Sequence, residues 1–255
     1  MTEPPAPQPF AAPCRDLHPT AAFAWLASGW NDFRASLGIS LVYGILVWVV
    51  SAVVSGLAWW LGSYVLVLAV LSGFIFIAPL VATGLYSVCR QVRRGEHASL
   101  LRSLNRMRKA LADAMVFALI LMVIFLVWAR SASMIHIFFP ATNGSDWASL
   151  LPFLAIGSAV GSIFATITFS AAAFSLPMIV DRDCDMVSAC VSSINAVLRN
   201  KLAMMVWASV IVALTAVGFA TAGFGLIIIV PLLAYATYHA YFETIDARQW
   251  PESPQ

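Results

Sequence analysis

Residues 202–238 read LAMMVWASVIVALTAVGFATAGFGLIIIVPLLAYATY, a run that contains no Asp, Glu, Lys, Arg or His. One continuous helix of about 40 residues would be about 60 Å long, which is twice the roughly 30 Å of a hydrocarbon core. Gly223 and Gly225 stand near the middle of the run and supply a turn. The run is therefore predicted to cross a membrane twice.

Two more runs without Asp, Glu, Lys, Arg or His lie at residues 36–88 and 147–180. The composition agrees, since 61% of the residues are hydrophobic and 10% are charged, against roughly a quarter charged in soluble domains. Backbone groups in lipid must be satisfied within their own segment, so each span is taken as a helix. An all-α membrane protein is predicted, with six transmembrane helices at about 39–61, 64–89, 114–135, 152–178, 202–222 and 225–245, the first two joined at Leu61-Gly62-Ser63.

The basic residues set the predicted orientation, because Lys and Arg are retained on the cytoplasmic side of short loops. Thirteen of the fourteen lie on one side of the six spans, and Arg130 alone lies opposite. The protein is therefore expected in the bacterial inner membrane, multi-pass, with both termini cytoplasmic. Six tryptophans fall near the predicted interfaces, where such rings prefer to lie: Trp25, Trp30, Trp128, Trp147, Trp207 and Trp250.

The chain ends are predicted to be tails around one membrane domain. Six prolines among the first twenty residues indicate a disordered cytoplasmic tail at 1–20, the membrane domain covers 21–246, and 247–255 form a short C-terminal tail. The four cysteines, all on the predicted cytoplasmic side, are expected to be reduced thiols with no close metal-ligand pair.

A threefold pattern divides the domain into possible repeats at 21–89, 97–180 and 184–246. Each repeat would be a transmembrane hairpin preceded by a cytoplasmic interfacial amphipathic helix. The apolar positions step by 4, 3 and 4 residues, and each second span contains a proline, Pro79, Pro177 or Pro231. The alternative is that any loop entering a bilayer tends to be amphipathic. The apolar positions are Leu26, Trp30, Phe33 and Leu37, then Leu100, Leu104, Met107 and Leu111, then Val187, Val191, Ile194 and Leu198, and an asparagine directly follows one position of each set, at Asn31, Asn105 and Asn195.

Small residues recur every fourth position in the fourth span, at Gly157, Gly161 and Ala165. Such spacing lets membrane helices approach closely, so this face is the predicted packing face. The alternative is a substrate path lined by the hydroxyls of Ser158, Ser162, Thr166 and Ser170.

Two polar groups are candidate functional sites. Asp181, Asp183 and Asp185 alternate around Arg182 and Cys184 as in the opening of a calcium loop. The glycine and glutamate of that loop are missing, so the three carboxylates are expected to favour the N-terminal end of the third interfacial helix, with Arg182 neutralising part of their charge. Tyr235 and His239 lie near the end of the last span, either in an interfacial aromatic belt or as a ligand or proton site.

Seven basic residues between the second and third spans would attract anionic lipid head groups, although retention of the topology accounts for them equally well. No catalytic motif is found, so no enzyme activity, metal or cofactor is predicted. The expected partners are membrane lipids and other membrane proteins or a second copy of the chain, and not nucleic acid. The seven are Arg90, Arg93, Arg94, Arg102, Arg106, Arg108 and Lys109.

The chain resembles a bacterial integral-membrane family catalogued only as a domain of unknown function, family 2189. The resemblance lies in SLPMIVDRD at 175–183, preceded by Gly157, Gly161, Phe164 and Ala165, and in PLLAYATYHAY at 231–241. Some members are labelled as similar to cytochrome c oxidase subunit I, which needs more spans and several intramembrane histidines. The family often has Gly-His where this chain has Ala234-Tyr235, which weakens a metal role there. The resemblance implies the architecture and no activity.

Two functions follow as the main hypotheses, and an enzyme acting on lipids ranks third. The first is a non-catalytic accessory, assembly or scaffold component of a membrane complex. The second is a transporter or channel for a small neutral solute, favoured by the repeat and by prolines within spans. A dry bundle with an exposed small-residue face would favour the first, and a water-filled cavity lined by the serine and threonine hydroxyls would favour the second.

Overall fold

The structure, a computed structural model, describes residues 10–61, 64–138 and 147–253. These residues form helices and irregular segments, with two isolated bridges and no strand in the described ranges. The helices are α1 (Ala21–Ala35), α2 (Leu37–Leu61), α3 (Tyr64–Arg93), α4 (Leu100–Lys109), α5 (Leu111–Phe138), α6 (Trp147–Asp181), α7 (Met186–Arg199), α8 (Lys201–Ala220) and α9 (Leu226–Thr244).

Six of the described helices are long and apolar enough to cross a membrane, which confirms the predicted number of spans. The turn at residues 221–225 separates α8 from α9, and Gly223 has a φ of 84° there, a left-handed conformation that glycine adopts freely. Gly62 and Ser63 of the first predicted junction lie outside the described residues. The six apolar segments are Leu37–Leu57, Ile75–Arg93, Leu111–Met134, Leu154–Asp181, Lys201–Ala220 and Leu226–Thr244.

The second span of each predicted hairpin lies inside the bundle, and the first lies outside. The helices α3, α6 and α9 all contact one another. In their most apolar 18 residues, 61%, 56% and 56% of positions are buried, against 17%, 17% and 22% in α2, α5 and α8. Each central helix includes its buried proline. The outer helices therefore present most of their surface to the surroundings, as lipid-facing helices do.

The short helices follow the same threefold order. Helix α4 packs on α3, α7 packs on α6, and α1 packs on α9. Each is separated from the following span by one buried residue, Ser36, Ala110 or Asn200, which stands five residues after the asparagine of its repeat. Contacts also join α2 to α3, α5 to α6 and α8 to α9. This arrangement supports the predicted repeat of three hairpins, which stays a prediction.

The apolar positions of α4 and α7 point mainly outward, and their small or polar positions point inward. Leu104 of α4 and Val187, Ile194 and Leu198 of α7 are exposed, whereas Ser103 is buried. The Ser103 hydroxyl donates to the Gly84 carbonyl of α3. A soluble protein would bury the apolar face instead, so this inverted pattern is expected if the short helices lie against lipid, as predicted.

Both chain ends are folded onto the same end of the bundle. Of the predicted disordered tail, residues 1–9 lie outside the described part, and the Ala12 amide donates to the Ser192 hydroxyl. The Arg15 amide donates to the Thr244 carbonyl. Trp250, placed in the predicted C-terminal tail, is 2% exposed. These segments are ordered because polar groups of the helices supply the hydrogen-bond partners that the prolines cannot supply along the chain.

Candidate functional site

Asp181, the last residue of α6, is the buried centre of a polar cluster. Its carboxylate lies 2.9 Å from Arg182 Nε and 3.8 Å from Arg90 Nε. The hydroxyls of Tyr238 and Tyr241 donate to it at 3.4 and 3.2 Å. Burial alone would lower the pKa of the Arg182 guanidinium, but Asp181 raises it. A buried carboxylate is tolerated here because cations and hydroxyls surround it.

The C-terminal segment closes this cluster. The Ser253 amide donates to the Asp181 carbonyl, and the Arg90 guanidinium donates to the Ser253 carbonyl at 2.7 Å. Arg106 of α4 donates to the Ser253 hydroxyl and to the Ile179 carbonyl. Burial, and then the neighbouring Arg90, lower the pKa of the Arg106 guanidinium. One end of the central helices is thus joined to α4 and to the chain end.

Asp183 and Asp185 lie apart from that cluster. Asp183 is exposed, and its amide donates to the Pro251 carbonyl. Asp185 caps α7, since its carboxylate accepts from the Ser188 amide at 2.9 Å, and hydrogen bonding by the side chain and then the amide of Ser188 lowers the pKa of the carboxyl group. The predicted role at the start of the third short helix therefore falls to Asp185, while Asp181 is directed into the bundle.

A second polar cluster joins α1, α3 and α9. The Cys89 thiol donates to Asp32 Oδ2 over 3.1 Å, and His239 Nε2 lies 2.7 Å from the same oxygen. Cys89 is fully buried, whereas the side chains of Asp32 and His239 are 13% and 18% exposed. One ligand atom from each lies within 4.8 Å of the others, so this group could hold a metal ion. Sequence spacing does not show it, because its members come from three distant segments.

The tyrosines near His239 are buried, which contradicts the interpretation as an aromatic belt facing the interface. Tyr235, Tyr238 and Tyr241 are at most 1% exposed. The Tyr235 hydroxyl lies 2.7 Å from the Ser40 hydroxyl of α2. Three of the tryptophans assigned to the interfaces, Trp25, Trp207 and Trp250, are likewise buried, while Trp30 and Trp128 are exposed. Burial inside the bundle therefore accounts for most of these rings.

The seven predicted lipid-contact residues divide into two groups. Arg90 and Arg106 are buried and bonded within the protein, and the other five are exposed. Arg94 pairs with Glu252 and Arg102 with Glu96. A cavity of about 460 Å³ opens between α3 and α4. Six of the seven basic residues line it, together with Glu96, Ser87, Gln91 and Asn105: Arg90, Arg94, Arg102, Arg106, Arg108 and Lys109.

The predicted packing face of α6 has no partner among the described residues. A Cβ added at Gly157 or Gly161 would meet nothing within 4 Å, and Ala165 is exposed. The neighbouring hydroxyls of Ser162 and Thr166 donate to carbonyls of their own helix. The small residues therefore do not pack this helix onto its described neighbours, and these two hydroxyls are satisfied locally.

Six apolar spans around a buried polar end define the chain as a multi-pass, α-helical integral membrane protein. The model of a family described as "Predicted integral membrane protein (DUF2189)" matches residues 66–181, from α3 to the end of α6. The predicted resemblance is confirmed over that stretch, which is shorter than expected and does not include residues 231–241. The description does not mention cytochrome c oxidase. No curated protein and no solved structure matches the chain significantly.

Proposed function

We propose that the protein is a non-catalytic scaffold of the cytoplasmic membrane that associates through the small-residue face of α6. The observation that carries this proposal is that a Cβ added at Gly157 or Gly161 would meet nothing within 4 Å, while Ala165 is exposed. For comparison, Gly44 of α2 lies directly against the backbone of Ile227 in α9. The small residues of α6 thus leave a face open where a helix could approach closely.

The shape around this face supports the same function. Gly161 and Ala165 border an apolar groove of about 450 Å³ whose other wall includes Leu121, Phe125 and Trp128 of α5. A groove with small residues at its base and large apolar residues along its side accommodates a transmembrane helix. The occupant we propose is α6 of a second copy, because the same small-residue stripe then meets itself across a twofold axis.

Disulfide cross-linking in membranes tests this assembly. A single cysteine replaces Gly161 in a background whose four native cysteines are serine. Ile163 of the same helix supplies the matched control, because it is 60% exposed and two residues away, on a different side of α6. Oxidation is expected to give dimers with Gly161→Cys and few with Ile163→Cys. Absent dimers, or equal yields at the two positions, would overturn the proposal.

The proposed function includes binding of anionic lipid at the basic cavity between α3 and α4. Lys and Arg near an anionic surface contribute about 1 kcal/mol each, and six of them line this cavity. Their placement also supports the predicted cytoplasmic location of both chain ends, since Ser253 bonds to Arg90 and Arg106.

Native mass spectrometry from micelles with equal phosphatidylglycerol and phosphatidylcholine tests the lipid site. The wild type is expected to retain phosphatidylglycerol preferentially, and Arg102→Gln with Arg108→Gln to lower that preference roughly fivefold per residue. The control is Arg34→Gln with Arg199→Gln, which removes the same charge outside the cavity. Equal losses in the two double variants would mean that net charge, and not the cavity, selects the lipid.

Transport of a neutral solute is the weaker candidate. The prolines inside α3, α6 and α9 favour it, because interrupted helices form many transporter sites. However, Ser158, Ser162 and Thr166 are exposed on α6, and the cavity beside Pro79, between α2, α3 and α9, is lined by apolar side chains alone. These observations favour the scaffold.

A further inference from the structure

We propose that Asp32, Cys89 and His239 form a binding site for one zinc ion. The three side chains come from α1, α3 and α9, and their ligand atoms lie within 4.8 Å of one another. Carboxylate oxygen, thiolate sulfur and imidazole nitrogen are the three ligand types that zinc takes in proteins. No other group of at least three such ligand atoms lies so close together among the described residues.

The distances suit a site that opens slightly when the ion enters. Zinc bonds of about 2.0–2.3 Å place the ligand atoms of a tetrahedron roughly 3.3–3.7 Å apart. Asp32 Oδ2 lies 2.7 Å from His239 Nε2 and 3.1 Å from Cys89 Sγ. Each separation therefore has to increase by about 0.5 Å, which small side-chain rotations supply.

Charge also favours a divalent ion at this position. The Cys89 thiol releases its proton to solvent when sulfur binds the metal. The thiolate and the Asp32 carboxylate then carry two negative charges, which Zn²⁺ neutralises. A neutral site is the least costly arrangement for a cluster that includes a fully buried sulfur.

The surrounding helices hold the ligands in place and leave a route for the ion. Gly29 of α1 lies against the backbone of Ala236 in α9, so that these two helices approach closely beside the cluster. His239 borders an open cavity of about 540 Å³, together with Trp25 and Glu243. Three protein ligands leave one position for water or a further ligand on that side.

Cobalt binding to the purified full-length protein tests the site. A thiolate bound to Co²⁺ gives a near-ultraviolet charge-transfer band, and tetrahedral Co²⁺ absorbs strongly in the visible region. We expect one Co²⁺ per chain with both signals, and displacement of both by Zn²⁺. Cys89→Ser is expected to abolish the charge-transfer band. Loss of a residue that only contacts a metal ligand weakens metal binding roughly 10–100-fold. His239→Gln removes a ligand itself, so it is expected to weaken Co²⁺ binding by more than that.

Cys190→Ser is the matched control, because Cys190 is a buried thiol on α7 whose sulfur lies 3.7 Å from that of Met186. It should keep the stoichiometry and both bands. Elution as a single species from a sizing column shows that each variant is folded. If the folded wild type gives no thiolate-to-cobalt band, or if the band survives Cys89→Ser, the triad is a hydrogen-bonded cluster and the proposal fails.

Discussion

The replacement Asp181→Asn should be strongly destabilising, because it removes one negative charge from a buried site and leaves its cations in place. The Asp181 side chain is 6% exposed, beside Arg182 at 16% and Arg90 at 8%. Asparagine has nearly the same shape and still accepts a tyrosine hydrogen bond, so the variant isolates the charge. Removing one partner of a buried ion pair costs about 3–5 kcal/mol. At about 2–4 °C per kcal/mol, the unfolding midpoint should fall by roughly 6–20 °C.

The assay is thermal unfolding in detergent, followed by tryptophan fluorescence. The buried rings of Trp25, Trp207 and Trp250 report on loss of the fold. Asp183→Asn is the matched control, since it removes the same charge two residues away at an exposed position and should change stability by less than about 0.5 kcal/mol. If both variants shift the midpoint equally, the Asp181 cluster does not stabilise the fold as its geometry requires.

Three further replacements probe packing and capping in the same assay. Gly44→Ala should cost about 1–3 kcal/mol, because its Cβ would meet the α9 backbone, whereas Gly56→Ala meets nothing described within 4 Å and should be nearly neutral. Asp185→Ala should cost about 1 kcal/mol at pH 7 by removing the cap on the Ser188 amide. Because folding lowers the pKa of Asp185, this stabilisation is present above the unfolded value of about 3.9 and is lost as the pH falls through the folded value. Trp250→Ala should cost about 3–5 kcal/mol, since the ring is buried against the core; a loss below 1 kcal/mol would show that the C-terminal segment is not part of the fold.

The spans were predictable because they depend on local composition. A run without ionisable groups must be in lipid or buried wherever the rest of the chain lies, and its length limits how often it crosses. The turn at Gly223 was predictable for the same reason, since glycine tolerates its positive φ. The step of 4, 3 and 4 residues likewise located the three short helices.

The polar clusters depend on pairs that are distant in sequence, and no periodic pattern reports such pairs. Asp32 and His239 are 207 residues apart, and Asp181 and Tyr238 are 57 residues apart. Asp32 precedes the apolar position Phe33, but side chains one residue apart do not share a helix face, so this neighbour does not predict the burial of Asp32. A buried ionisable group needs a partner, and the partners of Asp32, which are Cys89 and His239, come from other helices.

In the basic loop between α3 and α5, reasoning from topology assigned too many cations to the membrane surface. Lipid attraction and the positive-inside rule treat every Lys and Arg as a surface charge, but Arg90 and Arg106 bond to the C-terminal segment and to α6. Their contacts join α3 and α4 to the end of the central bundle, and only the exposed cations around them are available to the proposed lipid site. A cation at a helix end can therefore hold the bundle together from inside. If such a cation is replaced and lipid binding is lost, the cause can be unfolding of the protein as readily as loss of a contact to the lipid. For this reason the exposed Arg102 and Arg108, and not Arg90 or Arg106, are the positions that separate the two effects.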